Sequence, residues 1–431
     1  MFLHFLRWLK ANTDLDFEIL LLAGGPLTSE FEAVAPVRLV EALGQGPRSY
    51  LEAGLARAGL ANLGDRLKVS RSRRAVADLC GFDALYLNST TSALALRILP
   101  EIPPLVLSHI HELDAAFRYW FPESQRSAML DQTDRFVACA ESVAVNLIGG
   151  WRVPSSKVSC HHEFILPPQP TPGGAARARA ELGIPATASI VGGAGSVIWR
   201  KGPDLFIQMA NDICRNRPDL DLHFVWVGAP SLERTPVEFD LAKMGLADRV
   251  HFVGEVDRPD DLFSAFDVFA LTSREDPFPL VMLETAAIGV PIVSFANGGV
   301  SELAGSALPS ERRAIVVDYL DVAALGEAVV DLCENEGERL ALGRRGQRRV
   351  LEHHVVDVGA ADLYRELRSA LDGGPVVRPV ATPTRRVHPV APPTPDHLVT
   401  DLTSAQTVPS PTDPATALRR EDLEPGRRPY K

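Results

Sequence analysis

The sequence predicts an α/β protein with two successive domains, each built on a parallel sheet, followed by a disordered tail. Short apolar runs alternate with helical segments through most of the chain, a pattern typical of parallel sheets with helical crossovers. Four prolines and two glycines fall within residues 166–174 and divide this alternation into two halves, as a hinge linker would. From Gly373 onward the chain holds 12 prolines and one aromatic residue, Tyr430.

The first half, residues 1–165, opens with an apolar helical stripe that begins at Met1. Strands are predicted at 17–22, 84–87, 104–107 and 135–139, with helices at 49–60, 73–79 and 141–148. A doubly wound domain normally begins with a strand and a glycine-rich turn. We therefore expect that the first strand is missing, that the true start lies upstream of Met1, and that the exposed stripe promotes aggregation.

The second half, residues 175–356, has the pattern of a complete doubly wound domain. Strands are predicted at 189–192, 222–227, 250–253, 268–271, 291–295 and 314–317, and helices at 204–216, 236–244, 280–288 and 322–334. A further helix is expected at 357–372. Residues 373–431 cannot form an apolar core, so we predict a disordered spacer that can be removed without loss of fold or activity.

Composition limits the class of protein. The chain is 46% hydrophobic and 23% charged, which is ordinary for a soluble globular protein, and its net charge of −11 argues against general nucleic-acid binding. No apolar run approaches the roughly 20 residues of a membrane span, and the first ten residues lack a signal-peptide cleavage site. Five cysteines without paired spacing indicate a reducing cytoplasm and argue against a structural zinc.

The clearest chemical pattern lies in residues 268–299. A buried strand leads into a polar turn and then into a helix that starts after Pro279. Seven residues separate Asp276 from Glu284, so the first acid lies in the loop and the second inside the helix. Ligands of open parallel sheets bind outside the carboxyl ends of strands, which is where these acids stand. The simpler alternative is that both acids only stabilise the helix N-terminus.

This layout resembles that of the family-4 retaining glycosyltransferases, which have the GT-B fold. The resemblance implies two Rossmann-like doubly wound domains that face each other across a cleft, with residues 357–372 crossing back onto the first domain. In that family the first acid contacts the donor sugar and the second binds the ribose of the nucleotide. Two residues depart from the usual pattern: Asp276 stands where glutamate is usual, although Glu275 is beside it, and Pro279 replaces a glycine.

Three further motifs match the same family. Lys201 precedes a glycine in the turn after Gly195, where cations and helix N–H groups favour a diphosphate, although Ser196 replaces a usual arginine. His111 and Glu112 follow a buried strand, as a His-acid pair does at the family's reaction centre. The resemblance implies catalytic roles for His111, Asp276 and Glu284, an acceptor side with Asn88 and Glu112, and a donor site formed by Gly195, Arg200, Lys201, Glu275, Phe278, Leu280, Glu284, Gly298, Gly299 and Glu302.

Simpler explanations exist for several of these residues. Arg200 and Lys201 could belong to a solvated basic loop. His109 shares a strand face with His111, so the sequence alone does not choose between them. Glu302 and Asn88 could each cap a helix.

The expected function is a retaining glycosyltransferase that moves a sugar from a nucleoside diphosphate sugar to a glycan or small-molecule acceptor. No Asp-x-Asp ligand pair follows a strand, so we expect transfer without a metal and without a cofactor. The first alternative is a non-catalytic nucleotide-sugar-binding protein with a degenerate first domain. A scaffold that recruits partners through its tail explains nothing in residues 190–302.

A basic cluster, Arg66, Lys68, Arg71, Arg73 and Arg74, stands out in this acidic chain. It could bind an anionic acceptor or the inner face of a membrane, although a solvated helix face is the simpler explanation. We expect a cytoplasmic protein, with peripheral membrane contact left open.

Overall fold

A computed structural model describes residues 1–40, 61–231, 234–306 and 308–380, without the side chains of 61–66, 68 and 120. Its elements form two lobes, each built on a parallel sheet with helices against it. The helix predicted at 49–60, the side chains of Arg66 and Lys68, and the tail residues 381–431 lie outside this description.

The first lobe is built on a four-stranded parallel sheet in the order β3–β4–β5–β6, with a separate parallel pair, β1–β2. Its strands are β1 (Ile19–Leu21), β2 (Val37–Leu39), β3 (Ala84–Asn88), β4 (Leu105–Ile110), β5 (Arg135–Ala138) and β6 (Val158–Cys160). Its α-helices are Phe2–Asn12, Thr28–Glu32, Ala61–Ala75, Ala95–Ile98, Glu123–Gln132 and Glu141–Val145. Strands β2 and β6 were not predicted, because each is three residues long with a polar residue in the middle, Arg38 and Ser159, and so forms no apolar run.

The second lobe has a six-stranded parallel sheet in the order β12–β11–β10–β7–β8–β9, the doubly wound order with a reversal between β10 and β7. Its strands are β7 (Ser189–Ala194), β8 (Leu222–Val227), β9 (Val250–Gly254), β10 (Val268–Leu271), β11 (Ile292–Phe295) and β12 (Ile315–Val317). Its α-helices are Gly174–Glu181, Pro203–Asn216, Arg234–Met244, Asp260–Phe263, Leu280–Ala287, Val300–Ala304, Val322–Glu334 and Glu336–His353. Strands β7, β8 and β10 are almost wholly buried, which explains their continuous apolar runs.

The last described helix, Val356–Leu371, packs on the first lobe. Leu363 and Leu367 share a core with Phe5 and Leu9 of the first helix and with Leu107 of β4. Phe5 is 1% exposed. The expectation that the N-terminal apolar stripe is exposed was therefore wrong, because the chain's last long helix covers it.

The predicted start of the tail also needs correction. Residues 373–380 lie against the first lobe: the Val377 N–H donates to Glu366 Oε2 at 2.8 Å, and the Cys160 N–H donates to the Arg378 carbonyl at 3.1 Å. A backbone bridge pairs Ser159 with Pro379. The ordered chain thus extends at least to Val380, past the boundary predicted at Gly373. Among the described helices, none is both long and apolar enough to cross a bilayer.

Candidate active site between the two lobes

A cavity of about 670 Å³ lies where the carboxyl ends of strands from both sheets meet. Parallel sheets bring their polar turns to this edge, so both lobes contribute loops to the lining. Ten of the predicted site residues line it together: Asn88, His111, Glu112, Gly195, Arg200, Lys201, Glu275, Asp276, Phe278 and Leu280. Met1, Phe2, Ser89 and Glu163 line it as well, although the sequence analysis did not select them.

Asp276 and Lys201 are joined on the second-lobe side of the cavity. Lys201 Nζ lies 2.6 Å from Asp276 Oδ2, the Ser273 hydroxyl donates to the same oxygen at 3.0 Å, and Arg200 Nη1 lies 3.7 Å from Oδ1. Asp276 is buried. The acid expected at the donor sugar and the cation expected at the diphosphate therefore neutralise each other in this structure.

Two glycines allow the loops to approach this closely. Gly202 has φ 68°, and a Cβ there would lie 2.1 Å from the Thr272 carbonyl oxygen. Gly298 has φ 54°, and a Cβ there would lie 1.8 Å from the Asp276 carbonyl oxygen. The Gly299 N–H donates to the Pro277 carbonyl at 2.6 Å. The predicted Gly298–Gly299 turn thus supports the acidic loop from behind and does not line the cavity.

Glu275 extends from the acidic loop to the other lobe. Its Oε1 accepts from the Ala115 N–H at 3.0 Å, while its backbone carbonyl accepts from Arg200 Nη1 at 2.8 Å. Burial raises the pKa of Glu275 despite the opposing effects of the Ala115 N–H and Arg200. A carboxylate at this point ties the acidic loop of the second lobe to the segment that follows β4.

His111 is positioned at the first-lobe side of the cavity by contacts at both ring nitrogens. Its Nδ1 lies 2.5 Å from Glu163 Oε1, and its Nε2 lies 2.9 Å from Asn88 Oδ1. Burial lowers the pKa of His111, but the charge and hydrogen bond of Glu163 outweigh it, so the pKa is raised. His109 is 1% exposed and does not line the cavity, so of the two histidines that share this strand face only His111 is open to a ligand.

Glu112 stabilises the turn after β3. Its carboxylate accepts from the Ser89 hydroxyl at 2.6 Å, from the Thr90 N–H at 3.2 Å and from the His111 N–H at 3.0 Å. Ser89 has φ 80°, a left-handed conformation that is rare for serine. These bonds hold together the two strand ends that carry Asn88 and His111.

Glu284 and Glu302 are not among the lining residues. Glu284 is partly buried on the helix Leu280–Ala287, where burial raises its pKa and the positive Met1 amino group opposes that effect. Glu302 reaches the first lobe: its carboxylate accepts from the Glu141 N–H at 2.9 Å and from the Ser142 N–H at 3.3 Å, and contacts His162 Nε2 at 2.7 Å. The role of Glu302 in donor binding remains a prediction.

Glu163 is the main site residue that the sequence analysis missed. It follows β6, a strand of three residues that gave no periodic signal. The available signal was the His161-His162-Glu163 run itself, because three ionisable residues after a strand end are candidates for a site.

Comparisons with known proteins agree with this architecture. Residues 188–335 match the family Glycosyl transferases group 1. A D-inositol 3-phosphate glycosyltransferase of Corynebacterium kroppenstedtii is 30% identical over 240 residues, which cover 52% of this chain and 51% of that protein. A lipopolysaccharide core biosynthesis mannosyltransferase, LpsB, of Rhizobium meliloti is 30% identical over 197 residues, 44% of this chain and 55% of that protein. The chain therefore spans about half the length of the curated relatives it matches.

The solved structure of Anabaena HepE has a TM-score of 0.66 at 16% identity and covers 85% of this chain and 95% of its own. It shares the fold over both lobes, so the predicted GT-B architecture is confirmed. The family match lies within the second lobe, at residues 188–335, and the likeness of fold extends over both lobes.

Proposed function

We propose that this protein is a retaining glycosyltransferase that moves a sugar from a nucleoside diphosphate sugar to a glycan or small-molecule acceptor, without a metal or a cofactor. The observation that carries the proposal is the single cavity lined by Arg200, Lys201 and Asp276 from one lobe and by His111 and Asn88 from the other. In this proposal residues 175–356 hold the donor and residues 1–165 the acceptor.

Charge complementarity supports the donor side. A departing diphosphate needs positive charge close by, and Arg200 and Lys201 stand at the turn that precedes the helix Pro203–Asn216. Lys201 is held by one carboxylate in this structure, which a phosphate would replace as its partner. The crystal structures of HepE with UDP and with UDP-glucose supply the analogy for a uridine nucleotide, at the level of fold only.

The first-lobe side supports a reaction centre. His111 and Asn88 are fixed to each other and to Glu163, so they offer a preorganised polar surface opposite the cations. The retaining outcome rests on the resemblance to family-4 enzymes, in which the acceptor attacks on the face that the leaving group vacates. The proposed acceptor is a glycan or a small molecule.

The test is an assay of donor turnover with the full chain. UDP-, GDP- and ADP-sugars are incubated in EDTA, with and without candidate acceptors, and the released nucleotide and the anomeric configuration of the product are measured. We expect turnover in EDTA and retention of configuration. A requirement for added Mg²⁺ would contradict the metal-independent part, and an inverted product would contradict the retaining part.

A non-catalytic nucleotide-sugar-binding protein is the second candidate. Ser196, Pro279 and the engagement of both His111 nitrogens favour it. Calorimetric binding of a nucleotide sugar without any hydrolysis or transfer would support this candidate over the first.

We place the protein in the cytoplasm as part of the same proposal, with the basic helix Ala61–Ala75 as its candidate contact with a membrane surface. Within the described side chains, Arg73 Nε donates to the Arg97 carbonyl at 3.0 Å, which ties that helix to its own lobe. Co-sedimentation with anionic vesicles and with neutral vesicles tests the membrane contact.

A further inference from the structure

His111 has a hydrogen-bond acceptor at each of its two ring nitrogens. Nδ1 lies 2.5 Å from Glu163 Oε1, and Nε2 lies 2.9 Å from Asn88 Oδ1. A carboxylate oxygen and an amide oxygen only accept hydrogen bonds, so each contact places a proton on the ring. An imidazole ring with both protons is a cation. The first-lobe side of the cavity therefore carries a positive charge, opposite Arg200 and Lys201 of the second lobe.

Glu163 lies behind His111 and is almost wholly buried, with 5% of the residue exposed. Its Oε1 contacts His111, whereas its Oε2 is buried without a hydrogen-bond partner among the described residues, as is His109 Nε2. One nitrogen of His109 and one carboxylate oxygen of Glu163 lie within 4.8 Å of each other. A donor and an acceptor at such a separation can satisfy each other directly or through one bridging water.

Tyr86 determines which nitrogen of His109 carries the proton. Its hydroxyl oxygen lies 2.7 Å from His109 Nδ1. Burial raises the pKa of Tyr86 and lowers the pKa of His109, so both groups are neutral at pH 7. When the Tyr86 hydroxyl donates to Nδ1, the proton of His109 lies on Nε2 and supplies the donor that Glu163 Oε2 needs. The opposite tautomer would place two acceptors side by side, which a buried site disfavours.

The charges around His111 make Glu163 the main stabiliser of its charged form. Burial lowers the pKa of His111, whereas the charge and the hydrogen bond of Glu163 raise it. Glu112 raises this pKa further, and the Met1 amino group lowers it. Burial raises the pKa of Cys139, which keeps that thiol neutral. The facing wall of the second lobe has two charges of each sign: Arg200, Lys201, Glu275 and Asp276.

We propose that Glu163 is a positioning residue that holds His111 as a doubly protonated hydrogen-bond donor facing the cavity. Tyr86 and His109 support Glu163 from behind. This role rests on the glycosyl transfer proposed above. A ring that already holds both protons cannot take one from an acceptor hydroxyl, so His111 acts as a donor and not as a general base. Its Nε2–H donates to a substrate oxygen that replaces Asn88 Oδ1, and no proton leaves the ring.

The first measurement needs no activity. The full chain, labelled with ¹⁵N at histidine, is titrated by NMR, and the resonances are assigned with His111→Gln and His109→Gln. We expect most of His111 to be doubly protonated at pH 6.5, the ordinary pKa of histidine, because its own pKa is raised. His109 should be neutral at that pH, with its proton on Nε2.

Variants then separate the members of the chain. Glu163→Gln should move the titration of His111 to lower pH, because the carboxylate that stabilises the charged ring is lost. Tyr86→Phe should remove the preference of His109 for the Nε2 proton. Glu101→Gln, at an exposed position of the same lobe, is the control and should change neither histidine.

The second measurement is the rate of transfer. Glu163→Gln should lower kcat roughly 10- to 100-fold with little change in KM, because His111 loses its orientation and its charge. Glu163→Asp keeps the carboxylate and should recover most of that loss. The kcat of the parent chain should fall as the pH rises through the titration of His111, and in Glu163→Gln the fall should begin at lower pH. A general base at His111 would give the opposite direction.

Three results would each overturn the proposal: a mostly singly protonated His111 at pH 6.5, the same titration of His111 in the parent chain and in Glu163→Gln, or a kcat that rises with pH through that titration. If no donor is turned over, the proposed function fails, and the NMR titration still supports or overturns the positioning of His111 by itself. Thermal melting verifies that each variant folds. The parent spectrum and the parent pH profile decide even if Glu163→Gln does not fold.

Discussion

Lys201 and the buried Asp276 form an ion pair at the proposed phosphate position, and this pairing affects how substitutions there are interpreted. Breaking a buried pair by removing one partner costs about 3–5 kcal/mol, because a charge is left uncompensated. Loss of ligand affinity in a single variant would therefore mix two effects, lost stability and lost phosphate binding. The two can be separated by removing both partners.

We predict that Lys201→Met lowers the melting temperature and weakens the best-binding nucleoside diphosphate far more than the corresponding nucleoside. Adding Asp276→Asn should recover most of the stability, because no buried charge is left alone, but should not recover diphosphate affinity. Calorimetric titration and thermal melting measure both. Equal losses for nucleoside and diphosphate would show that Lys201 does not contact phosphate.

Glu284 carries a prediction of its own. If it binds the ribose of the donor, Glu284→Gln should reduce nucleotide affinity by roughly 1.5–3 kcal/mol, the value of a hydrogen bond to a charged group. Glu311→Gln, at an exposed position of the same lobe, serves as the control. Unchanged affinity in calorimetry would remove Glu284 from the donor site, in keeping with its absence from the cavity lining.

His354 should give the protein a pH-dependent stability. Burial lowers the pKa of His354 to about 3, and its Nδ1 lies 3.2 Å from the Glu163 carbonyl oxygen. Neutral His354 therefore contributes fully to the free energy of unfolding above pH 6.5, the pKa of histidine in the unfolded chain. This contribution is lost as the pH falls from 6.5 towards 3. We expect about 1 kcal/mol of that loss between pH 6.5 and 5.5.

Urea unfolding across this range, with His354→Gln beside the exposed control His353→Gln, measures the effect. The His354 variant should have a clearly flatter pH dependence than the His353 variant. A parallel slope in both variants would assign the proton uptake to other groups.

Residues that follow strands within a recognisable motif were predictable, and residues brought together only by the fold were not. Asp276, Lys201 and His111 each stand in a turn after an apolar run, so their place at the carboxyl edge could be predicted. The bonds of Glu275 to Ala115 and of Glu302 to Glu141 join positions about 160 residues apart, which no local pattern shows.

At the scale of elements, the segment 373–380 acts as part of the first lobe. It supplies the Val377 N–H to Glu366, which is 0% exposed, and Arg378 Nε lies 3.0 Å from Asp362. Arg135 also donates to the Gly374 carbonyl. Removing these residues leaves buried carboxylates with fewer partners, so the segment stabilises the last helix although its composition resembles that of a spacer.

We predict that a chain ending at Asp372 melts at a lower temperature than a chain ending at Val380, because it loses the Val377 hydrogen bond to Glu366 and the Arg378 ion pair with Asp362. Both chains, together with the full chain, are compared by scanning calorimetry. Equal melting temperatures for the two shorter chains would show that the boundary at Gly373 was adequate.

The regular elements were predicted best where the apolar pattern is strong. The six predicted strands of the second half all appear, within about two residues at their ends. The helix Glu336–His353 was missed because its buried face consists of Leu342, Gly343, Gly346 and Val350. Two glycines on that face weaken the apolar periodicity from which helices are inferred.

At the scale of the whole molecule, carboxylates from the second lobe bind backbone N–H groups of the first. Glu302 makes three such contacts with the first lobe, counting His162, and is only 13% exposed at its side chain. Hydrogen bonds to a charged group contribute about 1.5–3 kcal/mol each at most. Together with Glu275 they hold the cavity walls at their observed separation.

We predict that Glu302→Ala lowers the melting temperature by several degrees and increases the radius of gyration measured by small-angle X-ray scattering, because the lobes lose a shared contact. Glu311→Ala, at an exposed position of the same lobe, should change neither quantity. If Glu302→Ala matches the parent chain in both measurements, contacts other than those of Glu302 determine the separation of the two lobes.

The chain passes between the lobes twice, and the two passages touch. The Ile165 N–H donates to the His354 carbonyl at 2.9 Å, and the Val356 N–H donates to the Ile165 carbonyl at 3.0 Å. A pair of hydrogen bonds between two chain segments allows rotation about the pair but resists sliding of one segment past the other. We therefore expect an opening motion that keeps these bonds to rotate the lobes about the line of the two passages, which would open the cavity on the side opposite that line.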